Sequence, residues 1–311
     1  MKRSYLVAAL FAAFTLIIQP SAQADTFGTS GNEFTIDFVN IGNTGNAADT
    51  TTYGAVPYEY RVGKYEITQD AITKATASGM ANVTAGAWTG NQPAASINWY
   101  EAAAFVNWLN TSTGKTAAYN LTFSGSWSMN LWSSADAWQL GGENLYRIKD
   151  AFYFLPSENE WYKSAYYNAA GTNYFLYPTA SSTAPTAVAS GTSAGTAVYD
   201  SAASSVPALV ASAGGLSPYG TMGQGGNIFE LNESAFDGTN SSASEDRVLR
   251  GGAEFSTAFG LRSSTRFNLA ASGDNVNWGF RVASVPEPST YALLLMTGAG
   301  WLLWKRRKGS L

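Results

Sequence analysis

The side chains able to do chemistry crowd into the last third of the chain. Glu230, Glu233, Asp237, Asp246 and Glu254 supply carboxylates, and Arg250, Arg262, Arg266 and Arg281 supply guanidinium groups. Two acids held ~5–10 Å apart across a cleft would make a glycosidase-type pair, although no spacing here singles one out. Carboxylate and carbonyl oxygens around a tight turn would instead make a hard-oxygen cage for Ca²⁺. Gly225-Gly226-Asn227 has the composition of such a turn, feeding a strand that carries Glu230. The same residues also fit a plain hairpin turn with a solvated Glu230. The arginines either pair internally with Glu230, Glu254 or Asp246, or line a groove for an anionic or hydroxyl-rich ligand.

Two absences narrow the field further. The 311-residue chain has no Cys and no His. That excludes thiolate nucleophiles, disulfides, iron–sulfur clusters and copper–thiolate sites. It also excludes imidazole bases and His-ligated zinc or iron. Charged residues make up 13% of the chain, with 18 Lys plus Arg against 22 Asp plus Glu. Such a balance leaves no basic footprint for nucleic acid. Apolar residues at 45% are enough for a sizeable core, and 31 Gly with 10 Pro point to a loop-rich fold.

The elements that must position these groups are partly readable. Phe34 to Val39 alternates apolar and polar residues, the period of a strand with one face buried. Tyr58 to Ile67 predicts another strand through Tyr60, Val62 and Tyr65. Thr68 predicts the cap of a helix running to about Ser78 and stopped by Gly79. Asn98 with Glu101, and Ser157 with Glu160, have the spacing of capping boxes. Behind the first, Trp99, Ala102, Ala103, Val106 and Leu109 share one helical face. Behind the second, Trp161, Tyr162 and Ala165 turn inward. Residues 178–218 are mostly Ala, Ser, Thr, Gly and Val, with Asp200 the sole charge. They predict a low-complexity surface excursion with at most a short strand at Thr196–Tyr199. Gly251-Gly252 reads as a bulge in a strand.

The two ends read as addresses. Met1-Lys2-Arg3, an apolar run to Ile18 and Ala22-x-Ala24 predict a secretory signal peptide over residues 1–24. At the other end, residues 285–311 hold Pro286-Glu287-Pro288, an apolar run from Tyr291 to Trp304, and Lys305-Arg306-Arg307-Lys308. An apolar span followed by a basic cluster predicts a C-terminal transmembrane helix halted with its positive end in the cytoplasm. This tripartite order resembles the PEP-CTERM sorting signal of Gram-negative bacteria. The resemblance implies transient residence in the inner membrane, processing by an exosortase, and delivery to the cell surface or an exopolysaccharide matrix.

The segment between, residues 25–284, resembles the formylglycine-generating enzyme (sulfatase-modifying factor) family. Val62-Gly63-Lys64-Tyr65-Glu66-Ile67-Thr68 is similar to the family's early strand, and Pro93 to Asn110 to its tryptophan-bearing helix. Leu155 to Trp161 is similar to R-L-P-T-E-A-E-W, and Gly226 to Glu230 to G-N-V-W-E. Arg247 to Gly252 is similar to R-V-L-R-G-G, and Gly279 to Ala283 to G-F-R-V-A. The resemblance implies a single α+β domain, a loop-rich variant of the C-type lectin fold. It also implies a structural Ca²⁺ at Gly223, Gly226, Asn227, Ile228 and Glu230.

The family's oxidase uses paired cysteines, implied to bind copper, after the R-G-G segment. Here residues 253–264 contain none. Ser256 lies near the first cysteine's place, and a hydroxyl does not replace a thiolate toward copper(I). No copper, zinc or iron is expected. The reading that follows is an exported, non-catalytic module that binds an extracellular polysaccharide or a surface protein. Its 17 Tyr and 10 Trp supply stacking surface, and Arg250, Arg262, Arg266 and Trp278 are the candidate groove. A structural matrix protein and a carboxylate hydrolase are the alternatives.

Overall fold

The computed structural model describes residues 23–168 and 170–286. From the N-terminus come strands β1 (Gln23–Phe27), β2 (Phe34–Ile41) and β3 (Tyr60–Gly63), then helices α1 (Gln69–Ala77) and α2 (Trp99–Ser112). Short strands β4 (Asn120–Phe123), β5 (Trp127–Asn130), β6 (Ala137–Trp138), β7 (Asn144–Ile148) and β8 (Tyr153–Phe154) precede helix α3 (Glu158–Tyr166). After β9 (Thr186–Ala187) and β10 (Thr196–Ala197), the last third holds β11 (Phe229–Ala235), β12 (Arg247–Arg250), β13 (Phe267–Leu269), β14 (Trp278–Gly279) and β15 (Ala283–Ser284). The architecture is α+β, rich in short strands with few helices, as the resemblance implies.

Two sheets organise the chain. One is antiparallel, in the order β1-β2-β3-β15-β8. The other runs β13-β12-β11-β14, with β11 and β14 parallel. The core lies between the first sheet and α2. Phe34, Ile36 and Phe38 of β2 point into it, while Thr35 is exposed and Asp37 half-buried. This is the alternation read from the sequence. The strand expected over Tyr58–Ile67 is shorter and spans only residues 60–63. All four of its residues are buried, because β3 lies between β2 and β15 and is covered on both faces.

The helix starts follow the caps. Thr68 Oγ1 accepts from Ala71 N at 3.0 Å. Asn98 Oδ1 accepts from Glu101 N at 3.0 Å while Glu101 Oε2 accepts from Asn98 N at 3.1 Å. Ser157 and Glu160 repeat the exchange, at 3.3 and 2.6 Å. Trp99, Ala102, Ala103, Val106, Leu109, Trp161, Tyr162 and Ala165 are all buried.

Residues 178–218 hold a short strand, β10, within the Thr196–Tyr199 stretch where one was expected, and are tied to the rest of the fold. β9 and β10 pair in parallel, and Val198 and Ala197 are buried. Val198 O accepts from Asn227 N at 2.7 Å, Asn91 O from Val210 N at 3.0 Å, and Asn227 Oδ1 from Ala208 N at 2.8 Å. The segment is therefore laced onto the Gly226-Asn227 turn. With few charges to hold in water, its small side chains let backbone reach backbone. Residues 1–22 of the expected signal peptide and residues from Glu287 onward, including Pro288, Arg306, Arg307 and the expected transmembrane helix, lie outside the described residues.

Gly226 shows how tight that seam is. Its φ is +86°, and a Cβ there would overlap the carbonyl oxygen of Val198. Gly31 has the same φ with open space around it. Gly31→Ala is expected to cost about 1–2 kcal/mol, the left-handed backbone penalty alone. Gly226→Ala adds the collision and is expected to cost clearly more. Urea midpoints of the two variants measure the difference.

Candidate functional site

The Gly223–Glu230 turn folds as the sequence predicts, with φ positive at Gly223, Gly226 and Asn227. It leads into β11 and is not a hairpin, because β11 pairs with β12 and β14. Its occupant is an arginine. Arg281 Nε and Nη2 donate to the two oxygens of Glu230 at 2.6 and 2.5 Å. Trp161 Nε1 adds a bond to Oε2 at 2.7 Å. Arg281 also donates to the carbonyls of Gly63 (2.8 Å), Lys64 (3.2 Å) and Met222 (2.9 Å).

A calcium cage needs several oxygens with free lone pairs. Here Glu230 is committed to Arg281 and Trp161. Asn227 Oδ1 accepts from Ala208, and its amide group donates to Glu66 Oε1 at 2.9 Å. The Gly226 carbonyl accepts from Ile228 N at 2.7 Å. Gly223 presents its bare Cα to the Glu66 carboxylate, where any Cβ would collide. Of Gly223, Gly226, Asn227, Ile228 and Glu230, Glu230 alone holds the guanidinium, and with it committed the five offer no free carboxylate oxygen, so as arranged the set does not fit a divalent ion.

Glu66 is the residue of this cluster that sequence reasoning missed. It is buried, and its Oε2 has no partner among the described residues. Burial pushes its carboxyl up, the Arg281 charge pulls it down and the Glu230 charge pushes it up again, leaving it at about 7. Two carboxylates face one guanidinium, so the second is neutralised by a proton.

Of the other acids, Glu233 is as fully committed as Glu230. Glu233 and Glu160 share Arg147, whose Nη2 reaches their carboxylates at 2.6 and 2.9 Å. Burial raises both carboxyls; Arg147 then carries Glu160 below its ordinary range and leaves Glu233 above it. Asp246 accepts from Asn268 at 2.6 Å, and Asp237 accepts from Thr239 at the surface. A hydrolase needs one acid with a proton to give and another with a free oxygen across a cleft. Glu230 and Glu233 are both tied to guanidinium groups and so are free for neither role.

The four groove residues are not brought together. Arg250 is buried, with Nε on Glu158 at 2.8 Å and Nη1 on the carbonyls of Ser263 and Thr265. Arg266 joins it on Glu158 at 2.7 Å. The partner is Glu158, not Glu254 or Asp246. Arg262 donates to the Tyr177 hydroxyl at 3.2 Å. Trp278 lies apart, in β14 beside Phe229.

Around Trp278 a different surface forms. Phe229 packs against Phe267 at 5.3 Å and Phe255 at 6.1 Å between ring centroids. Phe255 is 48% exposed and Phe267 43%. Trp88 Nε1 donates to the carbonyl of Val276, itself exposed. Among these rings sits Glu254. Its Oε1 accepts from Asn277 Nδ2 at 2.6 Å, and its buried Oε2 has no partner among the described residues. Burial raises its carboxyl. A cluster of exposed rings beside an unsatisfied acceptor has the composition of a binding face. Ser256, near the place of the family's first cysteine, is buried. Its Oγ accepts from Ala253 N at 2.9 Å, which braces the loop behind Phe255.

The comparisons with known proteins agree with this fold. The family described as sulfatase-modifying factor enzyme 1-like domain matches residues 29–285, and the PEP-CTERM protein-sorting motif matches residues 284–308. The chain belongs to the sulfatase-modifying factor family and carries a signal for exosortase-type sorting, which implies export and membrane-associated sorting in a Gram-negative bacterium. Among solved structures it is similar to Treponema denticola variable protein 1. The identity is 20% and the TM-score 0.61, over 86% of this chain and 100% of that one. It is also similar to CarF (16%, TM-score 0.56, 81% and 99%) and to PvdO from Pseudomonas aeruginosa (15%, TM-score 0.51, 86% and 100%). At these identities the likeness shows the fold. No curated protein sequence matches.

Two outcomes follow from the turn. The folded state holds the Glu66 proton more tightly than the unfolded chain does. Stability should therefore fall as pH rises from the ordinary carboxylate value to about 7. The Glu66 share amounts to about 3 kcal/mol at most. Urea midpoints against pH for wild type and Glu66→Gln read it, the variant losing this part of the slope. Adding Ca²⁺, or a chelator, should leave the melting temperature unchanged. A calcium-dependent rise would mean that Arg281 gives up Glu230.

Proposed function

We propose that the chain is an exported, non-catalytic binding module that captures exopolysaccharide on its Trp278 face. The observation that carries this is the pair of exposed rings Phe255 and Phe267, both packed on Phe229, with the half-buried Trp278 paired to Phe229 on the neighbouring strand. Sugar rings lay C–H faces on aromatic side chains, and Phe255 and Phe267 offer two such faces. Loops braced by a rigid scaffold are where such recognition concentrates. Two supports stand beside it. The oxidase chemistry of the family needs cysteines that this chain lacks. The sorting motif directs the protein toward the surface, where the polysaccharide lies.

The test is binding of the full chain to the host's purified exopolysaccharide. Saturable binding is expected, weakened about tenfold or more by Phe255→Ala combined with Phe267→Ala. Both rings are exposed, so the melting temperature should change little. Absence of saturable binding, or equal binding by the variant, would turn the search to a protein partner or to a purely structural matrix role.

A further inference from the structure

A cavity of about 180 Å³ opens away from the Trp278 face and shares no residue with it. Tyr53, Tyr58 and Trp138 contribute its aromatic walls, and Arg147 and Glu158 reach its floor. Its size is that of about six waters, room for one sugar ring.

The polar groups around it are unusually specific. Asn159 Oδ1 accepts from Gly54 N at 3.0 Å, and Asn240 Oδ1 accepts from Ala235 N at 2.8 Å. Each amide is thereby fixed by its oxygen, and each NH₂ end is left without a protein partner among the described residues. The Tyr53 hydroxyl and the Glu143 carboxylate are likewise unpartnered there. The cavity thus offers two oriented donors, a phenol that gives or accepts, and a carboxylate that accepts.

The charges select the ligand class. Arg147 is neutralised by Glu160 and Glu233, and Glu158 by Arg250 and Arg266. Glu158 faces two guanidinium groups, but neither Arg250 nor Arg266 lines the cavity; the guanidinium that does, Arg147, is fully paired, and Glu143 repels an anion. A cation would meet Glu143 at an exposed rim, where water screens the pair and little affinity results. An uncharged ligand with several hydroxyls and an apolar face satisfies every feature.

We propose that this cavity is a binding site for a single neutral sugar ring, either a free monosaccharide or the end of a glycan chain. It stands independently of the Trp278 face.

The experiment is saturation-transfer NMR on the full chain, kept in a zwitterionic detergent without a sugar headgroup. The probes are D-glucose, D-galactose, D-mannose and N-acetyl-D-glucosamine. At least one is expected to bind saturably. Ala55→Trp places a ring at the exposed mouth and should abolish binding. Asn159→Asp and Asn240→Asp keep the oxygen that holds the backbone and replace the NH₂ donor with a charged acceptor, so each should weaken binding about tenfold or more. Phe255→Ala should leave it unchanged, which separates this site from the polysaccharide face. No saturable binding by any of the four sugars, or binding that survives Ala55→Trp, would overturn the proposal.

Discussion

Arg281 is the tie on which the architecture depends. Its guanidinium holds the Glu230 carboxylate and three main-chain carbonyls, at Gly63, Lys64 and Met222. These belong to the end of β3 and to the turn before β11. Arg281 itself follows β14. One side chain thus closes the two sheets onto each other. Such a pair is costly to desolvate, and removing one partner from a buried pair leaves an uncompensated charge. The same solution recurs in the chain. Arg250 takes the carbonyls of Ser263 and Thr265, Arg247 that of Glu245, and Arg266 that of Phe236. A fold with so much irregular backbone must satisfy its carbonyls somehow. Here arginines replace the missing strands, which is why a chain with few charges keeps several of them inside.

What was legible in the sequence was local. Asn98 with Glu101 and Ser157 with Glu160 announce their helices because a cap and its reply lie three residues apart. Phe34 to Val39 announces β2 because one of its faces is buried and the other is not. β3 hides its length because it is covered on both faces and has no alternation to show. The arginine partners were not legible, since Arg250 and Glu158 are 92 residues apart and no pattern in the chain links them. Glu66 stood inside a recognised segment, but nothing in the sequence says that Gly223 leaves space for its carboxylate. Residues 178–218 looked slack because they carry almost no charge. That lack lets them pack as backbone on backbone.

The scaffold has also exchanged parts. In the motif similar to R-L-P-T-E-A-E-W, Phe154 stands where the arginine would be. Arg147 stacks on that ring, 3.7 Å from its centroid, and grips Glu160 from there. At the cysteine position, Ser256 braces a loop. The frame is kept while individual parts of it are supplied from elsewhere in the chain.

The position of β15 sets how the protein bears load. It is the last strand before the sorting motif, yet it lies inside its sheet, between β3 and β8. Val285 still donates to Phe152 O, and Pro286 is already exposed. Whatever holds the sorting segment therefore pulls on the middle of the sheet and not on an edge. Drag from a tethered polymer would enter through Pro286 and spread at once to two neighbouring strands. An edge strand peels one bond at a time, whereas β15 must part from both neighbours together, so the attachment point is also where the domain resists tearing.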